Sequence, residues 1–339
     1  MSESSHIKST GFASAAEVAQ LAGVSRSAVS RTFTPGSSVS AETRRKVLAA
    51  AQALNYHVNH LARGLSKEAC RPVCILGGNL ASPYQASLLE HLTRCLNNAG
   101  RAVMVINTDD GEESVRDALQ QTLNYRSTAT IVLSGKPPGA LIETCLQSGQ
   151  QVILINRMGQ FEGADNIEID YRSTMSDALN LLLNAGCQRI ALVSSSARSP
   201  SMVIRETRFL DAAAERDINV MLTRPGSASY ATGVAAAREL LRAEPRPDGV
   251  FCVTDLIACG FIDAARHEFG LHIPEEISVI GFDDIEQASW LGYDLTTFAQ
   301  PLAEMAEAAC ELVIAPATGT GTPSKRVFNA PPVRRKTLR

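Results

Sequence analysis

The sequence lacks the short motifs that mark the common classes of enzyme. It contains no GxGxxG loop, no Walker loop and no GxSxG nucleophile elbow, so the usual signatures of dinucleotide, nucleotide-triphosphate and α/β-hydrolase chemistry are missing. Its six histidines are dispersed without the spacing of metal ligands. The sequence therefore proposes no reaction, and we expect a protein that is not an enzyme and holds no cofactor or metal.

Segments that would direct the chain to a membrane or an oxidising compartment are also missing. No apolar run is long enough to span a bilayer, and the first residues, MSESSHIKST, lack the apolar core of a signal peptide. The eight cysteines form no CxxC pair, and most lie in apolar strand or helix patterns. Scattered buried thiols are typical of a reducing compartment, whereas a disulfide framework or a zinc site needs regular spacing. We expect a cytoplasmic protein without membrane contact.

Charge is distributed unevenly along the chain. Residues 1–67 carry eight Lys and Arg against three Glu, a net charge of +5; since the whole chain carries −3, the remainder carries −8. A length of 339 residues leaves room for two or three domains. A basic head on an acidic body favours a polyanion-binding module joined to a module that does not bind polyanions, and a random scatter of charge is the alternative.

The segment from Ser14 to Leu54 predicts three short helices. Ser14 and Glu17 form a capping box that starts the first helix, and Ser25 and Ser40 are the N-caps of the next two. Small residues near the first turn allow two helices to cross closely, as a helix-turn-helix requires. The apolar faces would be Ala15, Val18, Ala19 and Leu21, then Ala28 and Val29, and finally Val47, Leu48, Ala51 and Leu54.

After Pro72 the sequence alternates between apolar strands and amphipathic helices. This pattern predicts an α/β fold with doubly wound parallel sheets, one before and one after about residue 170. Ligands of such sheets collect at the carboxyl ends of the strands, where the loops are short and polar, as a small polyhydroxylated ligand needs. The predicted strands are 73–76, 102–106, 129–133, 151–155, 189–193, 249–253 and 278–280, and the predicted helices are 86–99, 114–124, 174–185, 204–216, 233–243 and 256–269.

Five phrases of the sequence resemble the LacI/GalR family of bacterial transcription regulators. They are EVAQLAGVSRSAVSR, VSAETRRKVLAAAQALNY, NHLARGL, IPEEISVIGFDDI and LTTFAQP, and the resemblance runs from about Ala15 to the C-terminus. It implies a small all-α helix-turn-helix head, a hinge helix and a periplasmic-binding-protein-like core of two subdomains crossed by three chain passages. Members bind operator DNA as dimers and respond to a small metabolite in the cleft.

The resemblance assigns DNA contacts to the second helix. Arg26, Ser27 and Arg31 correspond to base-reading positions, and an arginine can donate two bonds to guanine O6 and N7. Ser25 and Ser30 are better suited to phosphates. For Arg31 a surface salt bridge is the alternative, and the run Arg44, Arg45 and Lys46 is equally consistent with a solvated face.

The phrase from Asn59 to Leu65 corresponds to the family's hinge helix, which folds on DNA. Asn59, Ala62 and Leu65 would then lie at the minor groove, and an apolar Leu65 would wedge between base steps and kink the duplex. Without the resemblance, Leu65 would be a contact to the core. Gly64 departs from the commoner residues and lowers helix propensity by up to about 1 kcal/mol relative to alanine.

Five residues of the core form the predicted effector site; Arg205, Asp283 and Thr254 match family positions, and Tyr84 and Arg157 are expected to line the other wall. Arg205 matches a ligand-clamping arginine and Asp283 a carboxylate that accepts from sugar hydroxyls. Thr254 replaces the commoner asparagine, and Ala228 replaces a residue that is often aromatic in sugar binders. The full predicted set is Tyr84, Arg157, Arg205, Thr254 and Asp283; the arginines at 157, 198 and 205 either favour an anionic ligand or are structural.

These expectations define the domains and the function. We expect a head at 1–57 (ordered from about 14), a hinge at 58–70 and a core at 71–339, with subdomains at 71–169 plus 299–325 and at 170–298 plus 326–339. No leucine-heptad segment follows the core, so a homodimer on a palindromic operator is expected. The favoured function is a transcription regulator, most simply a repressor, controlled by a sugar, a sugar acid or a related metabolite. The alternatives are a solute-binding protein of a transporter and, with less support, an enzyme of sugar metabolism.

Overall fold

A computed structural model describes residues 12–34, 36–58, 71–109, 111–133, 135, 137–157, 161–315 and 323–339. The chain divides into two compact units, Met1–Lys67 and Glu68–Arg339. Each unit has its own hydrophobic core, so they are described in turn.

The smaller unit contains the helices α1 (Ala15–Ala22), α2 (Arg26–Thr32) and α3 (Ala41–Ala53). Each begins after the serine predicted to cap it, because the Oγ of Ser14, Ser25 and Ser40 accepts a backbone N–H three residues later. Glu17 completes the capping box by accepting the Ser14 N–H at 2.7 Å. The predicted starts of all three helices are therefore confirmed.

The core of this unit is smaller than the sequence suggests. Leu21 and Leu48, which were assigned to the apolar faces, are 56% and 47% exposed, so that assignment is wrong. An α-helix turns about 100° per residue. The side chain of Leu48 therefore points away from the buried face that Val47 shares with Ala50 and Ala51. The buried set is Val18, Ala19, Val29, Val47, Ala50 and Ala51.

The larger unit contains two parallel sheets with helices packed against them. The first sheet consists of β1 (Val73–Gly78), β2 (Val103–Thr108), β3 (Ala129–Val132), β4 (Gln151–Ile155), β5 (Asp165–Ile169) and β11 (Lys325–Phe328), in the order β11-β5-β4-β3-β1-β2. Its helices are α4 (Pro83–Asn98), α5 (Glu112–Asn124), α6 (Gly139–Gln147) and α11 (Leu302–Ile314).

The second sheet has four strands in the order β7-β6-β8-β9. They are β6 (Ile190–Val193), β7 (Val220–Thr223), β8 (Gly249–Cys252) and β9 (Ser278–Ile280), accompanied by α7 (Tyr171–Asn184), α8 (Pro200–Ala214), α9 (Tyr230–Leu240) and α10 (Asp255–His267). A short antiparallel pair, β10 (Thr297–Phe298) and β12 (Pro332–Val333), stands beside it. Two parallel sheets flanked by helices confirm the doubly wound α/β prediction.

The larger unit has two halves, one built around the first sheet and one around the second, and the chain passes between them three times. It leaves the first sheet after β5, returns between β10 and α11, and leaves again after β11. Backbone bonds tie these passages together, from Asp170 N to the Phe328 carbonyl and from Ala299 N to the Pro331 carbonyl. Since β11 pairs with β5 as far as Phe328, the last passage begins three residues beyond the predicted boundary at 325.

Candidate functional site

The exposed face of α2 carries the residues that were predicted to contact DNA. Ala28 and Val29 are buried in the core of the smaller unit, and the Thr32 hydroxyl donates to the Ala28 carbonyl at 2.9 Å. Burial of this side orients the other side of the short helix outward. The exposed set is Ser25, Arg26, Ser27, Ser30 and Arg31.

Two of these residues also have local structural roles. The Ser25 hydroxyl accepts from Ala28 N at 3.2 Å and lies 2.8 Å from the Ser27 hydroxyl, so its first role is that of a cap. The Nε of Arg31 donates to the Ser27 carbonyl at 3.4 Å, one turn back on the same helix. The hinge residues Asn59, Ala62 and Leu65 lie outside the described residues.

The charge run on α3 is partly structural. Arg44 donates from Nη1 to the Thr32 carbonyl at 3.1 Å, where α2 ends, and Lys46 pairs with Glu42 at 2.8 Å. A cation beside the last carbonyl groups of a helix is favoured by the helix dipole. Arg44 therefore holds α2 against α3.

A cavity of about 340 Å³ lies between the carboxyl ends of the two sheets in the larger unit. The structure brings all five residues of the predicted effector site to its wall, together with several serines. The lining residues are Gly78, Asn79, Ser82, Pro83, Tyr84, Gln85, Arg157, Ala197, Ser199, Ser201, Met202, Arg205, Ser227, Ala228, Ser229, Thr254, Leu256, Asp283 and Ile285.

Arg205 and Asp283 form a buried ion pair on this wall. Nη2 of Arg205 lies 3.0 Å from Oδ1 of Asp283, and Nη1 donates to the Val253 carbonyl at 2.7 Å. The guanidinium stacks 3.9 Å from the centre of the Phe282 ring. Burial opposes the charge of Arg205, but Asp283, Tyr171 and Tyr84 together outweigh burial, so the pKa of Arg205 is raised. Burial raises the pKa of Asp283, and Arg205 counteracts this in part. Asp283 also has a φ of +123°, a strained conformation for a non-glycine residue, as is common at functional sites.

Gln300 links the two halves of the cavity wall and was not among the residues predicted from the sequence. Its Nε2 donates to Oδ1 of Asp283 at 2.7 Å, while its Oε1 accepts from the Tyr84 hydroxyl at 3.2 Å and from Asn156 Nδ2 at 3.0 Å. Asn156 in turn accepts the N–H of Ile169 at the end of β5. Gln300 is 6% exposed and lies in the second chain passage; its only sequence signal is a polar residue before Pro301 in LTTFAQP.

The remaining predicted residues combine a place on the wall with structural bonds. Thr254 accepts the Ile257 N–H at 3.3 Å and caps α10. Arg157, which is 7% exposed, donates to the carbonyl groups of Ile155 at 3.0 Å and Gly135 at 3.3 Å. Arg198 is not among the lining residues and lies 3.7 Å from Glu206.

A fully buried carboxyl group lies behind this wall. Asp255, the first residue of α10, accepts the Thr297 hydroxyl at 2.5 Å and the Ile285 N–H at 2.9 Å. Burial, reinforced by the nearby charge of Asp283, raises the pKa of Asp255 to about 7. These bonds fix the loop that carries Asp283 to the start of α10.

Segments of both units match known protein families. Residues 15–59 match the family described as bacterial regulatory proteins, lacI family, and residues 179–338 match the periplasmic binding protein-like domain. The HTH-type transcriptional regulator AscG of Escherichia coli (strain K12) is 29% identical over 327 residues, which cover 95% of this chain and 97% of that protein.

Solved structures share the fold over nearly the whole chain. The lac repressor dimer bound to operator and the anti-inducer ONPF superposes with a TM-score of 0.86 at 24% identity and covers 96% of this chain and 99% of its own. The complex of the transcriptional regulator CelR with cellobiose has a TM-score of 0.69 at 24% identity, covering 96% and 99%. In the described part of the chain, no helix is long and apolar enough to cross a membrane.

Proposed function

Because the chain belongs to the LacI family of bacterial transcription regulators, we propose that it represses genes by binding a palindromic operator as a homodimer in the cytoplasm. A small-molecule effector in the 340 Å³ cavity controls that binding. The observation that carries the DNA-binding half is the exposed face of α2, which presents two arginines and three serines while the opposite face forms the core.

The side chains of α2 suit both kinds of DNA contact. Arg26 and Arg31 have the fork geometry that donates two bonds to guanine O6 and N7, whereas Ser27 discriminates little between bases. Ser25 and Ser30, with the first amides of the helix, suit phosphate oxygens. The hinge residues are proposed to lie in the minor groove, with Leu65 as the wedge.

A dimer with two-fold symmetry explains why the operator would be a palindrome. Two copies of α2 related by such an axis read two half-sites of opposite orientation. The similar lac repressor structure is a dimer bound to operator, which supports this arrangement for the present chain.

The cavity is proposed as the effector site because it combines enclosure with polar side chains. Its wall includes the buried pair Arg205 and Asp283, and its volume lies in the range of small-molecule sites. A similar protein, CelR, is known in complex with cellobiose. Residues from both halves line the cavity, so a ligand that contacts both would change their relative position and, through it, the affinity for DNA.

Selection of genomic fragments by the purified full-length protein tests this function. Retained DNA is sequenced at a stated salt concentration, because phosphate contacts make binding strongly salt-dependent. We expect enrichment of a palindrome, and its neighbouring genes would supply candidate effectors. No enrichment, with or without added metabolite extract, would contradict the regulator function and favour a solute-binding protein.

A further inference from the structure

A chain of buried hydrogen bonds joins the two halves of the larger unit behind the cavity wall. Asp283, on the second half, accepts from Nε2 of Gln300 at 2.7 Å. Oε1 of Gln300 accepts from the Tyr84 hydroxyl at 3.2 Å and from Nδ2 of Asn156 at 3.0 Å, both on the first half. We call these three bonds the Gln300 bridge. Asp283 and Tyr84 are among the residues that line the cavity, whereas Gln300 and Asn156 are not, so Gln300 connects the two walls from behind.

The Asp283 end of the bridge is fixed to the second half. Arg205, on α8, lies 3.0 Å from Oδ1 of Asp283, which is also the atom that accepts from Gln300. The backbone N–H of Asp283 donates to the Phe298 carbonyl at 3.0 Å. A ligand that binds to Asp283 or Arg205 therefore acts on the second half and on Gln300 together.

The other end of the bridge is fixed to the first half. Tyr84 lies in the first turn of α4, and Asn156 directly follows β4. Oδ1 of Asn156 accepts the N–H of Ile169, at the end of β5, at 3.2 Å, and its Nδ2 also donates to the Tyr84 hydroxyl at 3.2 Å. The bridge therefore reaches one helix and the ends of two strands of the first half.

The carboxamide of Gln300 suits this junction in one orientation. A carboxylate accepts hydrogen bonds and donates none, so Asp283 requires the Nε2 side, while Tyr84 and Asn156 donate to the two lone pairs of Oε1. Gln300 is 6% exposed, and buried networks in which every member has its partners are rigid. A shift of Asp283 is therefore transmitted to the first half.

Resting on the proposed function, we infer that Gln300 is a positioning residue that couples occupation of the cavity to the affinity for DNA. A ligand at Asp283 moves the second half relative to the first, and the Gln300 bridge transmits that movement to Tyr84 and Asn156. The first half follows the predicted hinge at 58–70 directly along the chain, so the movement reaches the hinge through this half. Coupling between two sites is a free energy of its own and can be lost while ligand binding is kept.

Two quantities are measured on the full-length protein, with an extract of bacterial metabolites as the probe. The rise in melting temperature with added extract reports binding in the cavity. Fluorescence anisotropy of the selected palindrome, with and without extract, reports the response of DNA binding. In the wild type we expect a thermal shift and a change in operator Kd of roughly 5–150-fold.

Substitution of Gln300 should separate these two quantities. Gln300→Met removes the whole bridge at similar volume; the thermal shift should persist, but the extract should change the operator Kd by less than about twofold. Gln300→Asn keeps the carboxamide but is one methylene shorter, so it cannot reach both ends and should lose the response as well. Asp283→Asn changes a lining residue and should weaken both quantities. Gln120→Met, at an exposed site on α5, is the matched control and should alter neither.

Four outcomes would overturn the coupling role. A folded Gln300 variant with the wild-type response would show that the bridge transmits nothing, and one that also loses the thermal shift would place Gln300 in the binding site. If neither Gln300→Met nor Gln300→Asn folds, the bridge serves stability alone. No response of the wild type to the extract would contradict effector control and the inference with it, while fragment selection judges DNA binding independently.

Discussion

Removal of Arg205 should destabilise the larger unit far more than loss of its contacts alone would. Arg205→Ala leaves the Asp283 carboxylate buried at 7% exposure without its counter-ion and removes the bond to the Val253 carbonyl. Breaking a buried pair by deleting one partner costs about 3–5 kcal/mol. For a unit of this size that corresponds to a decrease of roughly 6–20 °C in melting temperature.

A double variant identifies the origin of this loss of stability. Arg205→Ala combined with Asp283→Asn replaces the stranded charge with a neutral amide, so we expect the deficit to shrink to about 1–3 kcal/mol, the cost of unsatisfied polar groups. The pH dependence has a defined sign. Arg205 lowers the pKa of Asp283, which burial already raises; in Arg205→Ala the folded-state pKa rises further above the unfolded one. The variant therefore regains stability as pH falls through that folded-state pKa.

Thermal and urea unfolding measure both effects. The single tryptophan, Trp290, lies in the larger unit, so its fluorescence reports on unfolding of that unit. A deficit below about 1 kcal/mol for Arg205→Ala, or a double variant no more stable than the single one, would refute the account based on a buried charge.

Three further outcomes follow from the structure. Arg31→Ala should weaken binding to the selected operator by about 1–3 kcal/mol and relax sequence preference. Arg45→Ala, on the exposed side of α3, should lower the affinity for all DNA alike. If fluorescence anisotropy shows that the two variants prefer the operator over other DNA to the same extent, Arg31 does not read bases. Val47→Ala should cost roughly 0.5–3 kcal/mol of stability and Leu48→Ala almost nothing, because of these two residues only Val47 is buried. Urea unfolding of the head measures both losses, and equal losses would contradict the prediction. Burial raises the pKa of Asp255 to about 7, above its unfolded value, so this group makes the wild type lose stability as pH rises from about 4 to 7. Asp255→Asn should remove that part of the slope in melting temperature, and an unchanged slope would show that Asp255 stays ionised.

Local signals explain why the head was predicted well. A capping serine acts within three residues of the chain, so Ser14, Ser25 and Ser40 could be identified without knowledge of the rest of the molecule. Which of two neighbouring apolar residues, such as Val47 and Leu48, faces the core is decided by the partner helix. For that reason Leu21 and Leu48 were assigned to the wrong side.

In the larger unit, the alternation of strands and helices was evident, but boundaries and short strands were not. Helices predicted to start at Ala86 and Thr174 begin three residues earlier, at Pro83 and Tyr171. For the helix that starts at Pro83 the reason is that its first turn lines the polar cavity, which apolar periodicity cannot show. The strands β5 and β11 were missed because they mix charged or polar residues with apolar ones, and β7 is only half-buried. Length was not the cause, since β9, of three residues, was predicted.

Residues of the candidate site were predictable where a motif pointed to them and not elsewhere. The resemblance supplied Arg205 and Asp283, which the fold places 3.0 Å apart although 78 positions separate them. Gln300 depends on three bonds to side chains from distant segments. No local pattern encodes such a junction.

The three chain passages decide how this protein can be recombined with others. The head occupies one continuous stretch, so it can be exchanged for another DNA-binding head through a single junction near residue 67. Each half of the larger unit is assembled from separate stretches that end near residues 169, 299 and 328. A chimera that transplants one half must therefore be cut at all three places and must preserve the bonds from Asp170 to Phe328 and from Ala299 to Pro331. DNA specificity is thus exchangeable as one segment, whereas ligand specificity is better changed by substitutions in the cavity wall.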